Sequence, residues 1–419
     1  RAWDHTPALH EGAAISTTTI DTRRRLIAVP VFVAGWLAIA AAVLLFGWTP
    51  TWRTLTVPSD MPSFSDMRSV QGSIEAVHHG LNPQVANPAD PWHRTMDYPI
   101  VWERIAERLH LEIEADYLSF EIALVLAFLA SVAGVLWWAP SGWLLACAFS
   151  SSVLLLVERG NNDLAVFSLV CLAEAVPLAI GLGILFVAAL LKLYPVLCWP
   201  ALIRSRGTLV LAGVLGAAFL LLLQDELGAI SRAQPMRAYL SYGSASFAYA
   251  FKAMGHVTVP GPLISAVLVL AALGALLLFA GHIRFVQDER FEARRRFFYA
   301  GAFVFLGTFV LGSNWDYRLA FLLFCVPLLA TLESAAFRRA LLAVLLVSLN
   351  HSALGTWFGT AGYAVNELAK GVLFVLMAAV TTMVLVQDDV VLRLWRRLTL
   401  LPSVRRPGAP RPPGRSAPR

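Results

Sequence analysis

Apolar runs of membrane-crossing length alternate with short polar, arginine-bearing pieces along almost the whole chain. A bilayer-spanning helix needs ~20 apolar residues, with a range of about 17–25. The first such run is 26–48, directly after Arg23, Arg24 and Arg25. Further runs lie at 119–139, 142–157, 164–201, 207–223, 259–281, 297–312, 319–332, 339–357 and 367–387. This pattern predicts an all-α, polytopic transmembrane helix bundle.

Arginine placement orients it. Cytoplasmic loops of membrane proteins collect Lys and Arg, so Arg23–Arg25, Arg204, Arg206, Arg294–Arg296, Arg338, Arg339 and 393–397 are read as cytoplasmic. The first run is long and lacks a small-residue cleavage site, so it reads as a span rather than a signal peptide. Residue 118 then lies outside and Arg204 inside, which requires an odd number of crossings between them. A re-entrant hairpin over 181–203, broken at Lys192-Leu193-Tyr194-Pro195, satisfies that parity. Pro195 cannot continue a helix cleanly, and irregular backbone at membrane depth needs protein or a wet cavity around it. The count becomes ten full crossings plus the hairpin, with both termini cytoplasmic. The expected organisation is a cytoplasmic segment 1–24 (1–20 polar and loose), a transmembrane domain 25–392, and a basic Pro-rich cytoplasmic tail 393–419, of which composition marks 405–419 as disordered.

The longest polar stretch, 49–118, is the first extracytoplasmic loop. Phe64, Met67, Val70, Ile74 and Val77 recur at helical spacing and predict an amphipathic helix on the membrane surface. Ile100, Ile105 and Leu109 predict a shorter second one.

Composition agrees. Hydrophobic residues make up 58% of the 419 and charged residues 14%, with mean hydropathy +0.66; soluble domains are nearer 45–50% and about 25%. Disorder, a coiled coil and a small disulfide scaffold are excluded, and the composition counts against an ordinary cytosolic enzyme. The net charge of +6 follows from cytoplasmic arginines rather than from nucleic-acid binding. Cys147, Cys171, Cys198 and Cys325 all sit in apolar runs and read as core residues.

Candidate chemistry falls on the extracytoplasmic face. The long loop carries Asp60, Asp66, Arg68, Asp90, Arg94 and Asp97. A second loop reads Glu158-Arg159-Gly160-Asn161-Asn162-Asp163, a fourth Asn314-Trp315-Asp316-Tyr317-Arg318, and Lys192 points the same way. Such convergence suggests a polar site. Plainer readings compete: turns need polar residues, Asp316 and Arg318 can pair locally, and Lys192 can snorkel. Asp66 can sit in a helix first turn capped by Ser63 or Ser65, and Asp97-Tyr98-Pro99 can be structural. His78 and His79, being adjacent, read as surface residues, and Asp388-Asp389 as a solvated helix end. No P-loop, Rossmann, HExxH or CxxC pattern occurs.

Phe64-Ser65-Asp66-Met67-Arg68, Gly80-Leu81-Asn82-Pro83, the Glu158–Asp163 loop and Leu191-Lys192-Leu193-Tyr194-Pro195, in this order, resemble the GT-C superfamily of polyprenyl-phosphate-sugar-dependent glycosyltransferases. Within it the pattern is similar to the GT87 group of bacterial mannosyltransferase-like proteins. Asp90-Pro91-Trp92, Asp97-Tyr98-Pro99 and Asn314–Arg318 look like a subgroup of bacterial membrane proteins. The resemblance covers about residues 25–390 and implies transfer of a sugar, mannose at family level, from a polyprenyl-phosphate donor to an extracytoplasmic lipid or glycan acceptor. It implies an acidic base in the first outer loop: Asp66 by position, Asp60 as alternative. Lys192, Arg159 and Arg318 are the expected phosphate ligands. Arg68, Asp97, Tyr98, Glu158, Asn161, Asn162, Asp163, Tyr194, Asn314, Asp316 and Tyr317 are the expected substrate-binding set. Membrane lipids are the surroundings and no nucleic acid is expected. No cofactor is expected; a divalent-metal requirement stays open, since neither aspartate stands in the Asp-x-Asp pair of some relatives. A transporter or flippase of lipid-linked sugars, or a non-catalytic membrane protein, is the alternative.

Overall fold

The computed structural model describes residues 11–59, 61–230, 240–255 and 258–389. Asp60 and the tail 393–419 lie outside them. Helix α1 (Glu11–Phe46) leads into α2 (Trp48–Thr54), and the first loop carries α3 (Arg68–His78) and α4 (Val101–Arg108). Then follow α5 (Glu114–Trp138), α6 (Gly142–Ala148), α7 (Ser151–Arg159), α8 (Asp163–Ala175), α9 (Leu178–Leu191) and α10 (Arg206–Ile230). The last third holds α11 (Ser244–Gly255), α12 (Gly261–Phe279), α13 (Phe291–Leu311), α14 (Val326–Leu329), α15 (Ala335–Leu349) and α16 (His351–Gln387). Ser241–Tyr242 pairs antiparallel with Asn314–Trp315, the only named strands among the described residues. The fold is an all-α bundle. Five helices are long and apolar enough to cross a membrane, or six if α6 and α7, bent by 41°, form one span.

Several apolar runs take forms that periodicity alone did not predict. Residues 11–22 are helical, continuing α1 upstream of Arg23–Arg25 where a loose segment is expected over 1–20; residues 1–10 lie outside the described residues. The run 319–332 is a 3-10 helix (Asp316–Phe324) followed by α14, buried along its length. It lies so close to α13 that a Cβ on Gly301 would come within 2.5 Å of the Phe321 carbonyl; backbone packed this tightly is shaped by neighbours more than by propensity. Helix α16 is two limbs. Gly359 takes φ 56°, and Cβ atoms on Gly355 and Gly362 would strike the Tyr363 ring and the Leu354 carbonyl. Residues eight apart in a straight helix are separated by about 12 Å along the axis, so the chain doubles back at Gly359.

The first loop forms its own small core. Phe64, Met67, Val70 and Ile74 pack with Met96, Tyr98, Trp102 and Tyr117. The apolar stripe of α3 therefore faces protein rather than a membrane surface, apart from Val77, which is exposed. The main core lies between the helices, with Phe167 stacked on Phe324 at 4.2 Å and Phe309 on Phe374 at 4.5 Å.

Two buried layers of charge bound this core. At one end Asp163, Lys192 and Arg318 meet; at the other Arg204, Arg295 and Tyr299 converge on Asp388, and Arg296 on Glu174. Helix α8 joins the layers from Asp163 to Glu174, about 17 Å at 1.5 Å per residue. Helix α9 returns toward Lys192, where the backbone turns extended (φ −161°, ψ 133°). The 3-10 helix Tyr194–Ala201 then runs back to Arg204. The break falls where Lys192 and Pro195 predict it.

Candidate functional site

The first-loop core, the end of α7 and the Leu240 and Trp315–Tyr317 segments line a cavity of about 330 Å³, with the α7–α8 turn and the α9 break beneath it. Asp66, Arg94, Asp97 and Arg159 supply its charge; Tyr98, Trp315 and Tyr317 its aromatic walls; Ser69, Thr95, Leu155 and Leu240 the remainder. Local chemistry explains each placement. Helix α7 ends in the left-handed Gly160 (φ 57°), where a Cβ would meet Glu121 Oε2 at 2.5 Å and Phe64 Cβ at 2.6 Å. Only glycine lets the turn sit that close to the first loop. Phe64 is itself left-handed (φ 56°), and its carbonyl accepts the Tyr117 hydroxyl at 2.5 Å. This local strain aims the next residues, Ser65 and Asp66, at the cavity.

Asn161 is the hub. Its Nδ2 lies 2.7 Å from Asp66 Oδ2, 2.8 Å from Tyr317 Oη and 3.0 Å from Tyr98 Oη. Its Oδ1 accepts from Lys192 Nζ at 2.8 Å and from the Asp163 N–H at 3.0 Å. Because an ammonium only donates, Lys192 fixes which way the amide points, and so aims its N–H groups at Asp66. Lys192 also bonds Asn162 Oδ1 and Asp163 Oδ1, both at 2.6 Å. Asp163 takes Arg318 Nε on its other oxygen at 3.4 Å, and Arg318 lies over the Tyr194 ring and donates to Asn314. Lys192 and Arg318 are thus committed to Asp163, forming a floor beneath the cavity.

The cations on the cavity wall are Arg159 and Arg94. Arg159 donates to Ser65 Oγ at 2.9 Å and pairs with Glu158 at 3.2 Å; Ser65 is therefore no helix cap. Arg94 forks onto Asp90 at 2.7 and 3.1 Å and reaches Asp66 at 3.9 Å. Asp66 keeps 16% of its side chain exposed to the cavity. Burial pushes the Asp97 carboxyl above its ordinary 3.8; Asp66 adds to the rise and Lys192 opposes it. Trp315 and Tyr317 stack at an 11° interplanar angle.

Of the residues singled out in the sequence, Asp66, Asp97, Tyr98, Arg159 and Tyr317 line the cavity, with Lys192, Asn161, Asn162, Asp163, Arg318, Tyr194 and Asn314 in the layer beneath. Three stand apart. Arg68 forks onto Glu114 at 2.5 and 2.8 Å and pins the loop to α5. Glu158 accepts from Trp48 at 3.3 Å. Asp316 faces away from Arg318, with no local pair between them; it joins Lys370 at 2.8 Å and His351 at 3.4 Å in a separate buried cluster with Glu367. Asp60 lies outside the described residues. Arg94 and Trp315 were visible in the polar loops without an assigned role. Lys370, a lone cation in an apolar run, is a signal that hydropathy could have flagged. Asp388 is no solvated helix end: it is fully buried against Arg204, Arg295 and Tyr299.

Among the described residues, no group of three or more His, Cys, Asp or Glu side chains could hold a metal ion. The arrangement pairs an oriented, partly exposed carboxylate with guanidinium groups and a flat aromatic face, which suits proton removal beside an anion and a ring-shaped substrate. Comparison with family models, with curated proteins and with solved structures returns no match.

Proposed function

We propose that the protein is a multi-pass membrane glycosyltransferase. It moves a sugar, mannose in the first instance, from a polyprenyl phosphate to a lipid or glycan acceptor by inverting displacement. One observation carries this reading: Asp66, aimed by Asn161, shares a single cavity with Arg94, Arg159 and the stacked Trp315–Tyr317 pair. The acceptor hydroxyl gives its proton to an Asp66 oxygen as its own oxygen bonds the anomeric carbon. The bond from that carbon to the phosphate oxygen breaks on the opposite face. The departing lipid phosphate gains charge, which Arg159 and Arg94 are placed to meet. The aromatic pair offers a face for the sugar ring. Lys192 and Arg318 act from the floor by holding Asp163 and Asn161, so Arg94 replaces them as the second phosphate ligand.

The same reading sets the topology. Helix α9 is about 21 Å long, short of the ~30 Å hydrocarbon core, which supports a re-entrant α9–Tyr194–Ala201 hairpin with its tip at the site. Both termini are then cytoplasmic and the cavity extracytoplasmic. A cysteine at exposed Val85 should react with an impermeant thiol reagent from outside, and one at exposed Gln287 only after permeabilisation; reversed labelling overturns this orientation. The Asp316–Lys370–Glu367–His351 cluster favours a second reading, a transporter of lipid-linked sugars, because buried ionisable groups often serve transport.

Direct transfer separates the two readings. Protein in nanodiscs is given radiolabelled polyprenyl-phosphate-mannose and a membrane lipid extract, with Asp66→Asn alongside. Label in a new product with the wild type alone supports the enzyme and its base. Equal turnover by Asp66→Asn removes Asp66 from that role, and donor binding without turnover favours the transporter.

A further inference from the structure

A second cavity, of about 570 Å³, lies at the arginine-rich end of the bundle and shares no lining residue with the Asp66 cavity. Its walls are apolar: Ile27 and Ala28 from α1, Trp143 and Leu145 from α6, and Ala330 beyond α14. Arg338 supplies the one charged group of the lining. The volume falls in the range of about 300–1,000 Å³ typical of ligand sites.

The arginines set this cleft apart. At the same end, Arg204, Arg294, Arg295 and Arg296 each face a carboxylate. Arg338 donates one N–H to the Leu332 carbonyl, and among the described residues no carboxylate pairs with it. Arg25 lies one turn before Ala28 on the same face of α1, and its Nε is buried without a hydrogen-bond partner. Among the described residues neither guanidinium pairs with a carboxylate; Arg338 lines the greasy cleft and half-buried Arg25 stands one turn from Ala28 in its wall. Trp143, half-buried, is the amphipathic ring that suits a membrane–water boundary.

We propose that this cleft binds one anionic glycerophospholipid, with an acyl chain against Ala28, Trp143 and Leu145 and its phosphate between Arg338 and Arg25. The charge complementarity is specific, since a zwitterionic lipid would bring a cation to a site that already holds two. The assignment is independent of the sugar-transfer reading.

The test uses the full chain in detergent, stripped of lipid. Phosphatidylglycerol, phosphatidylcholine and a polyprenyl phosphate are offered in turn, and retained lipid is counted by native mass spectrometry. One phosphatidylglycerol should stay bound where phosphatidylcholine is lost. Arg338→Gln and Arg25→Gln should each weaken its retention about fivefold. Gly142 offers a second route: it also lines the cleft, and a Cβ there meets nothing within 4 Å. Gly142→Leu should fill the cleft and expel the lipid with both arginines intact. If an arginine variant unfolds at lower temperature without lipid, Gly142→Leu decides. Equal retention of the two phospholipids, or undiminished retention in the variants, overturns the proposal. So does displacement of phosphatidylglycerol by equimolar polyprenyl phosphate, which would mark a donor site instead.

Discussion

Both ends of the bundle bury charge, but the two layers use it differently. At the arginine-rich end, Asp388 is fully buried and shared among Arg204, Arg295 and Tyr299, with side-chain exposures of 11% and 5% for the two arginines. At the cavity end, Asp163 is held in the same way by Lys192 and Arg318. Above it, however, Asp66 and Arg94 keep 16% and 36% of their side chains exposed. A closed charge cluster ties helices together. A cluster that leaves a carboxylate and a guanidinium facing shared space can also do chemistry. Burial of charge by itself therefore does not locate a site.

The sharpest way to break this contrast is Asp66→Asn. Loss of the proposed general base should reduce the proposed transfer by about 10²–10⁴-fold with an unchanged unfolding temperature; a fall in that temperature would move Asp66 into the closed class. Next come the two hubs. Asp163→Asn and Asp388→Asn each strand buried cations, and each should destabilise by about 3–5 kcal/mol in denaturant unfolding. Asp163→Asn should also lose the proposed transfer per folded molecule, since Lys192, which orients Asn161, loses its carboxylate anchor. Asp388→Asn should keep it, and a matching loss there would erase the distinction between the layers. Trp315→Leu should raise KM for the proposed donor by up to about tenfold with kcat nearly unchanged, as expected for a contact made equally before and during reaction; an unchanged KM would remove Trp315 from the proposed sugar subsite.

The smallest effect concerns Asp97. Its carboxyl is raised above 3.8, so the fold prefers the protonated form. Its stabilising contribution is complete below that value and is lost as pH rises through the raised one. Asp97→Asn should therefore unfold at a slightly higher temperature than wild type near pH 7, with the gap closing below about pH 4. A gap that instead widens on acidification would reverse the sign of the Asp97 interaction.

Local pattern makes the apolar runs, the helices of the first loop and the Lys192 break legible, because each follows from composition, periodicity or a proline within a few residues. The Glu158–Asp163 turn is legible as well, since six successive polar or glycine residues exceed what closing a turn requires. What periodicity cannot carry is partnership at long range. Asp388 reads as solvated until Arg204, 184 residues away, is folded onto it. Arg94 acquires its place only once Ser65, 29 residues away, is brought to it. The Asp316–Phe324 segment has the hydropathy of a span, but close packing against α13 winds it as a tight 3-10 helix.

The seat of Gly160 against Phe64 and Glu121 has an engineering consequence. Residues 49–113 look like a detachable cap that could be traded between proteins of similar architecture. They are not a module. A graft would bring a new side-chain surface to a turn with no room for even one added carbon, so a working chimera must take the 158–163 turn and Glu121 along with the cap. Diversification of this architecture would then proceed by paired exchange across that seam, with single-piece swaps yielding folded halves that do not meet.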